Sequence, residues 1–494
     1  MPPERQAESA VRDSPLWAAR AVPHRVIPHS DDRWEGEGQW TAMPKHAVCV
    51  RAEVPRMVRR AGVWVAVVFA VGMATGAGGA GEALDPLGGW QQSEATATGW
   101  FRTQRAEGRW WLVDGLGHRF LSVGVNNVNF RPDVIRGTNR VPSQEAAKEK
   151  YRQETRWAEA AVARLRGWGF NTVGAWSSPT TWQQGMPYTA ILDFGRLVDW
   201  GERRSFPDVF DPAFESAAMR HARQKCRPRA EDAMLIGYFT DNELPWGSED
   251  RGPEALFADF LGREDSAPGR RALLRFLERR YLRIEELNEA WGTHYDSFVQ
   301  IGRTPQVGSS ISRDDQIDFM RLAAEEYFRV THDAIRAVDT HHLILGCRFA
   351  GNAPEAVLKA MRGYVDVVSL NNYDVHAPAG VVRAIHRVVG KPVLITEFGF
   401  RARDSGLPNT RGAGPVVSTQ QERAEHFEGY VRELLAVPMV VGYHWFEHAD
   451  QPAEGRFDGE NSNYGLVDIR DEPYEELVDA MERVNGSVYD LATG

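Results

Sequence analysis

The sequence predicts an α/β protein built as a (β/α)8 (TIM) barrel with a helical excursion after its fourth strand. Three observations carry this. From residue 119 to residue 484, short β-branched or apolar runs alternate with helix-length segments, and the runs number eight. Several runs turn polar at their C-terminal ends, as barrel strands do where they face a ligand. Two of them lead abruptly into a glutamate: Met234-Leu-Ile-Gly-Tyr-Phe into Asn242-Glu243, and Val393-Leu-Ile-Thr into Glu397. A doubly wound open sheet is the second architecture compatible with the alternation.

Ahead of the barrel, residues 1–56 are polar, Arg/Pro-rich and aperiodic, and read as an untranslated or disordered extension. Residues 57–81 have the make-up of a secretory signal: Met57-Val-Arg-Arg, an apolar run of about a dozen residues, then small residues near Ala80. A membrane span needs about 20 apolar residues, so the expectation is a secretory signal, with an uncleaved anchor as the alternative and no stable membrane contact if the signal is cleaved. The expected location is secreted or periplasmic, and 83–494 is the expected catalytic domain.

Within that domain, 98–115 reads as a short hairpin or lid. Arg119-Phe-Leu-Ser-Val-Gly-Val-Asn-Asn is the first strand, and its polar end makes Asn126 and Asn127 candidates for lining a ligand site. A helix is expected over 144–166, followed by the second strand with Trp176 at its upper end. Tyr188-Thr-Ala-Ile-Leu is the third strand, and a helix then runs to about 225. After the fourth strand the pattern is almost purely helical from 253 to 338, with helical spacing of apolar residues through 271–291. This exceeds one barrel helix, so an excursion is expected there, walling a substrate groove. Strand 5 is Leu343-Ile-Leu-Gly-Cys-Arg348. Strand 6 runs from Val365 to Tyr373, strand 7 carries Glu397, and strand 8 is Met439-Val-Val-Gly-Tyr-His-Trp445. Helices are expected over 419–435 and 473–484, with an Asp/Gly/Asn-rich loop before the last one.

Composition narrows the function. A net charge of −10 without a basic stripe argues against nucleic acid. The three cysteines fall in no zinc-like spacing, so neither a disulfide scaffold nor a structural metal is expected from them. Sixteen Trp supply the flat apolar faces on which sugar rings stack, although most Trp serve packing. A single glutamate at a strand end serves as a helix cap or ion-pair partner. Two on strands 4 and 7 of an eight-strand ring point into one mouth, which is the equipment of a retaining glycosidase. The acid must hold a proton near neutral pH while the nucleophile stays ionised, so their environments must differ.

The wording of the motifs resembles a known family. Phe239-Thr-Asp-Asn-Glu-Leu-Pro-Trp-Gly247, Leu287-Asn-Glu-Ala-Trp-Gly-Thr293 and Asp450-Gln-Pro with Gly455-Arg-Phe-Asp-Gly-Glu-Asn461 are similar to the β-agarases of family fifty, in clan A of the glycoside hydrolases. The first two stretches are also similar to the β-galactosidases of family forty-two. The resemblance runs over about 98–486. It implies the barrel, retention of configuration, Glu243 as acid/base, Glu397 as nucleophile, and galactan or agarose-type polysaccharide or oligosaccharide as substrate. Family-fifty agarases usually carry a carbohydrate-binding module ahead of the barrel, which is not evident here. Many clan members place an Arg at the end of strand 2, where this chain has Val173-Gly-Ala-Trp176; Arg348 could take over carboxylate pairing. Asn242 would bond the sugar hydroxyl beside the reacting carbon, Tyr373 would orient Glu397, and Trp445 would floor the reacting subsite. Asn372, His444, Asp458 and Glu460 complete the candidate substrate-binding set. No cofactor or metal is expected for the chemistry. The alternatives are the same mechanism on another β-glycan (β-galactoside, β-glucan or β-mannan), or a catalytically silent carbohydrate-binding barrel.

Overall fold

The computed structural model describes residues 83–197, 206–246, 252–306 and 308–494. The expected extension and signal segments lie outside the described residues. Eight short parallel strands form the centre: β1 (Ser122–Val125), β2 (Thr172–Val173), β3 (Tyr188–Ile191), β4 (Leu235–Phe239), β5 (Leu343–Ile344), β6 (Val368–Asn371), β7 (Val393–Phe398) and β8 (Val440–Trp445). Hydrogen-bonded neighbours run β5-β4-β3-β2-β1-β8-β7-β6. Because β1 pairs with β8 in parallel, the sheet is not the doubly wound alternative.

The ring closes through β5, which is kinked. Its first part pairs with β4, and its continuation Phe349–Ala350 pairs with β6. Across the kink, Leu345 N donates to Tyr238 O at 2.8 Å and Thr240 N to Gly346 O at 2.9 Å on the β4 side. On the β6 side Asp366 N donates to Ile344 O at 2.9 Å. Gly346 (φ +83) and Arg348 (φ 51) make the turn, and a glycine takes the first of these backbone conformations without steric cost.

Helices cover the outside. α1 (Glu154–Gly167), α2 (Pro212–Lys225), α6 (Arg313–Arg336), α7 (Glu355–Met361), α8 (Ala379–Val389), α9 (Gln420–Leu435) and α10 (Glu475–Asn485) bury apolar faces in one continuous core against the strands. The start of α9 is set locally: Thr419 Oγ1 accepts from Glu422 N at 3.2 Å, and Glu422 Oε2 accepts from Ser418 N at 2.7 Å. Two helices expected to be continuous are each two. The 144–166 helix breaks at Arg152 (φ 68), leaving Pro142–Tyr151 and α1. The 271–291 periodicity spans α4 (Pro268–Tyr281) and α5 (Ile284–Trp291), broken at Leu282 (φ 58). Apolar spacing reads through such breaks because both pieces bury the same side.

The excursion after β4 consists of α3 (Gly252–Gly262), α4 and α5, packed outside α6, which is itself the barrel helix between α2 and α7. Its attachment is polar. Tyr281 Oη and Trp291 Nε1 both donate to Asp315 Oδ2, at 2.6 and 2.7 Å, and Arg280 pairs with the same buried carboxylate. Among the described residues no helix is long and apolar enough to cross a membrane.

The segment expected as a hairpin or lid is a three-stranded antiparallel sheet (Arg102–Ala106, Arg109–Val113, Arg119–Phe120), and it is no lid on the ligand side. Trp110 N donates to Pro438 O at 2.8 Å, and Arg109 donates to Leu435 O at the end of α9 at 2.7 Å and to Val440 O at the start of β8 at 3.2 Å. Phe101, Leu112 and Phe120 enter the barrel interior and pack with Ile236, Leu343, Val367, Leu394 and Val441. The sheet therefore plugs the floor. Phe120 is fully buried and edge-on to Phe101, so Phe120→Ala should cost about 3–5 kcal/mol, read as a lowered midpoint in urea denaturation.

Candidate active site

At the C-terminal end of the barrel the two glutamates sit in unlike surroundings. Glu397 lies within β7, as expected, one residue before its end, and is 5% exposed. Its Oε1 pairs with Arg348 Nη2 at 2.9 Å and its Oε2 accepts from Tyr373 Oη at 2.6 Å. Glu243 follows β4 in a left-handed conformation (φ 50), its N–H donating to Arg348 O at 3.1 Å, and its side chain is exposed. Asn371, the last residue of β6, joins the two sides. Its Nδ2 donates to Glu243 Oε1 at 2.9 Å and Asn242 Oδ1 at 3.1 Å, while its Oδ1 accepts from Thr396 Oγ1 at 2.7 Å.

Burial pushes the Glu397 carboxyl up to about 7, and the neighbouring charge of Glu243 pushes the same way. The Arg348 guanidinium and the Tyr373 hydroxyl pull it down. Tyr373 is itself held well above the ordinary tyrosine range, first by burial and then by Glu397, so its hydroxyl keeps its proton and donates. Arg348 is fully buried, lies 4.1 Å over the Trp176 ring, and has Nε and Nη1 without protein partners.

Not every expected residue reaches the mouth. Strand residues alternate between faces, and that parity decides. His444 points into the barrel, where Ser122 Oγ lies 2.8 Å from Nε2; burial lowers its imidazole to about 3. A Cβ on Gly124 would collide with that ring, so the glycine makes room for it. Trp445 points outward: it packs on Phe398 and Phe427, and Nε1 donates to Tyr464 O at 2.8 Å. It is a core tryptophan, and the expected sugar floor is corrected accordingly. Phe446, one residue on, takes the inward position, edge-on to both Trp176 and Tyr373. Asn372 likewise points out of the barrel, accepting from Tyr430 Oη of α9 at 2.9 Å.

Asn126 is fully buried and spent on structure. Its Nδ2 donates to Thr396 O at 2.7 Å and its Oδ1 accepts from Ala175 N at 3.0 Å, clamping the ends of β1, β2 and β7. Asn127 donates to Glu447 Oε2 at 2.5 Å. Asp458 and Glu460 join Glu447 and Asp133 around Arg456, with Arg456 Nη2 at 3.1 and 2.7 Å from Asp458 and Glu460. Glu447 is held well above the usual carboxylate range, by burial and by Asp133. Sequence reasoning missed Asn371 and Phe446. Each neighbours a residue it selected, and strand parity, had it been counted, was the available signal.

Comparison with known proteins finds glycosidase relatives. The family model described as beta-galactosidase matches residues 171–389, a stretch that includes Glu243 and stops short of Glu397. Beta-agarase B of Vibrio sp. (strain JT0107) is 28% identical over 485 residues, covering 82% of this chain and 50% of its own. Beta-agarase A of the same strain is 29% identical, with 80% and 46% covered. The chain thus spans about half the length of the curated relatives it matches. A solved exo-beta-agarase superposes with a TM-score of 0.74 at 27% identity, over 83% of this chain and 68% of that one. The closed barrel, the strand-end glutamates and these likenesses support a glycoside hydrolase barrel of the clan A kind, similar to the β-agarases of family fifty.

Proposed function

We propose that the protein hydrolyses β-galactosidic bonds in agarose-type or related galactans by a two-glutamate double displacement with retention of configuration. Glu243 donates its proton to the departing glycosidic oxygen as the Glu397 carboxylate attacks the anomeric carbon, giving a glycosyl-enzyme ester. Glu243, now a carboxylate, then takes a proton from water, which attacks the same carbon and releases Glu397. The observation that carries this reading is the unequal pair: a buried Glu397 fixed by Arg348 and Tyr373, facing the mouth shared with an exposed Glu243. Arg348 stabilises the ionised form and Tyr373 aims its oxygen. Trp176 and Phe446 offer apolar ring faces for the sugar. The family-model match favours a β-galactoside as the second substrate reading. A polymer too large to enter a cell fits an exported enzyme, in line with the expected signal at 57–81.

Incubation with agarose, other galactans, β-glucan and β-mannan tests the substrate, with galactan fragments expected from the native chain alone. Release only from β-glucan or β-mannan would discard the galactan assignment. The roles are separable by chemical rescue. Either glutamate changed to alanine should lower kcat by about 10⁴–10⁶-fold. Added azide should then yield an α-glycosyl azide from Glu397→Ala and a β-glycosyl azide from Glu243→Ala; the reverse pattern would swap the roles.

Because Glu397 acts only when ionised and its carboxyl is pushed up to about 7, kcat/KM should fall as pH drops below about 7. Tyr373→Phe removes a hydrogen bond that favours the ionised form. Its acidic limb should therefore move to higher pH, and kcat should drop by about 10- to 100-fold. An unshifted limb in that variant would remove Tyr373 from the mechanism.

A further inference from the structure

At the opposite end of the barrel, two buried carboxylates face each other between the start of the described chain and the turn of the N-terminal sheet. Asp85 Oδ1 accepts from Leu87 N at 2.7 Å and Gly89 N at 2.8 Å. Asp114 Oδ1 accepts from the backbone N–H groups of Leu116, Gly117 and His118 at 2.9, 2.8 and 3.0 Å. With each Oδ1 committed to backbone, the two Oδ2 atoms turn toward a shared space. His118 Nδ1 enters it 2.6 Å from Asp85 Oδ2.

The space is shaped and its charge is unbalanced. Asp114 is fully buried, and no N–H or O–H of another residue donates to its Oδ2, which faces the Asp85 carboxyl and can hydrogen-bond to it only when one of the two holds a proton. Gly89 forms one wall: a Cβ there would overlap Asp114 Oδ2 and come within 2.8 Å of Asp85 Oδ2. Among the described residues no lysine or arginine forms an ion pair with either aspartate, and the imidazole of His118 can offset one charge at most. A buried carboxylate oxygen aimed at a second carboxylate is costly unless a shared proton or a metal cation lies between them. One ligand atom from each of Asp85, Asp114 and His118 falls within 4.8 Å of the others, the span of atoms that a single ion can gather with small side-chain movement.

We propose that Asp85, Asp114 and His118 form a structural site for a divalent metal ion of the zinc class. Two carboxylate oxygens and one imidazole nitrogen suit zinc, with solvent completing the coordination. Calcium asks for six to eight oxygens, which three side chains do not provide. The ion replaces the Asp85–His118 hydrogen bond and the proton that Asp85 and Asp114 otherwise share. It ties the segment around Trp90, whose ring stacks on Trp111 and Tyr489, to the sheet that plugs the barrel floor. The site is independent of the hydrolytic reading, since it shares no residue with the mouth.

The test is calorimetric titration of the full chain with ZnCl2 after chelator treatment, paired with thermal unfolding. One Zn2+ per chain should bind, and the unfolding midpoint should rise with Zn2+ concentration. Binding should be lost in Asp114→Asn and in His118→Ala, and kept in Glu397→Gln. His118 is partly exposed, so its variant decides the matter even where Asp114→Asn fails to fold. No saturable uptake by the native chain, uptake unchanged in His118→Ala, or uptake lost in Glu397→Gln would each overturn the proposal.

Discussion

The barrel closes through a strand that does not stay straight, and the site depends on that kink. β5 pairs with β4 over its first residues and with β6 over its continuation, changing partner across Gly346-Cys347-Arg348. An open sheet edge would leave N–H and C=O groups unpaired; the kink satisfies both neighbours. The same turn puts Arg348 in a left-handed conformation, with its carbonyl accepting from Glu243 N and its guanidinium bonded to Thr396 O and Glu397. Closure and placement of the cation are one structural event. Straightening β5 would open the ring and withdraw the charge from Glu397.

Around that cation the mouth is sorted by solvent access. Glu397 is enclosed and its proton affinity is raised by burial, while Arg348 and Tyr373 oppose the rise. Glu243 is exposed and is held through Asn371. A second group of charges gathers on Arg456, where Asp133, Glu447, Asp458 and Glu460 compete for one guanidinium. Burial, and then the charge of Asp133, make Glu447 hard to ionise, and its neutral form can offer a hydroxyl donor as well as an acceptor. The loop carrying Arg456 is further fixed by Gln451, whose Nε2 donates to Glu447 at 3.1 Å and Glu460 at 3.0 Å. Phe457 stands exposed at its tip.

Much of this was legible before any coordinates. The eight-fold alternation, the strand-end glutamates, the excursion after β4 and the contacts of Tyr373 and Arg348 with Glu397 were all expected from the chain. Errors came at the level of one residue. Asn372 and Trp445 were selected and their neighbours Asn371 and Phe446 were not considered, because residue type was weighed and strand parity was not. A tryptophan at a strand end suggests a sugar platform, yet Trp445 faces α9 and the smaller ring beside it faces inward. The 98–115 segment was read as a hairpin or lid, and the structure makes it part of a sheet that closes the floor of the barrel. Its pairing with the start of β8 lies more than 320 residues away in sequence, and no local pattern reports that distance.

The sequence by itself determined the architecture and the pair of carboxylates, because periodicity and strand-end chemistry are local properties written every few residues. Only the tertiary structure decided which face each strand end presents, which asparagine holds Glu243, and which end of the barrel the N-terminal sheet closes. Those outcomes depend on register, on the kink in β5 and on contacts between residues hundreds of positions apart. A shift of one residue in a strand reverses every side chain on it, and only packing against the rest of the barrel selects the register that is found.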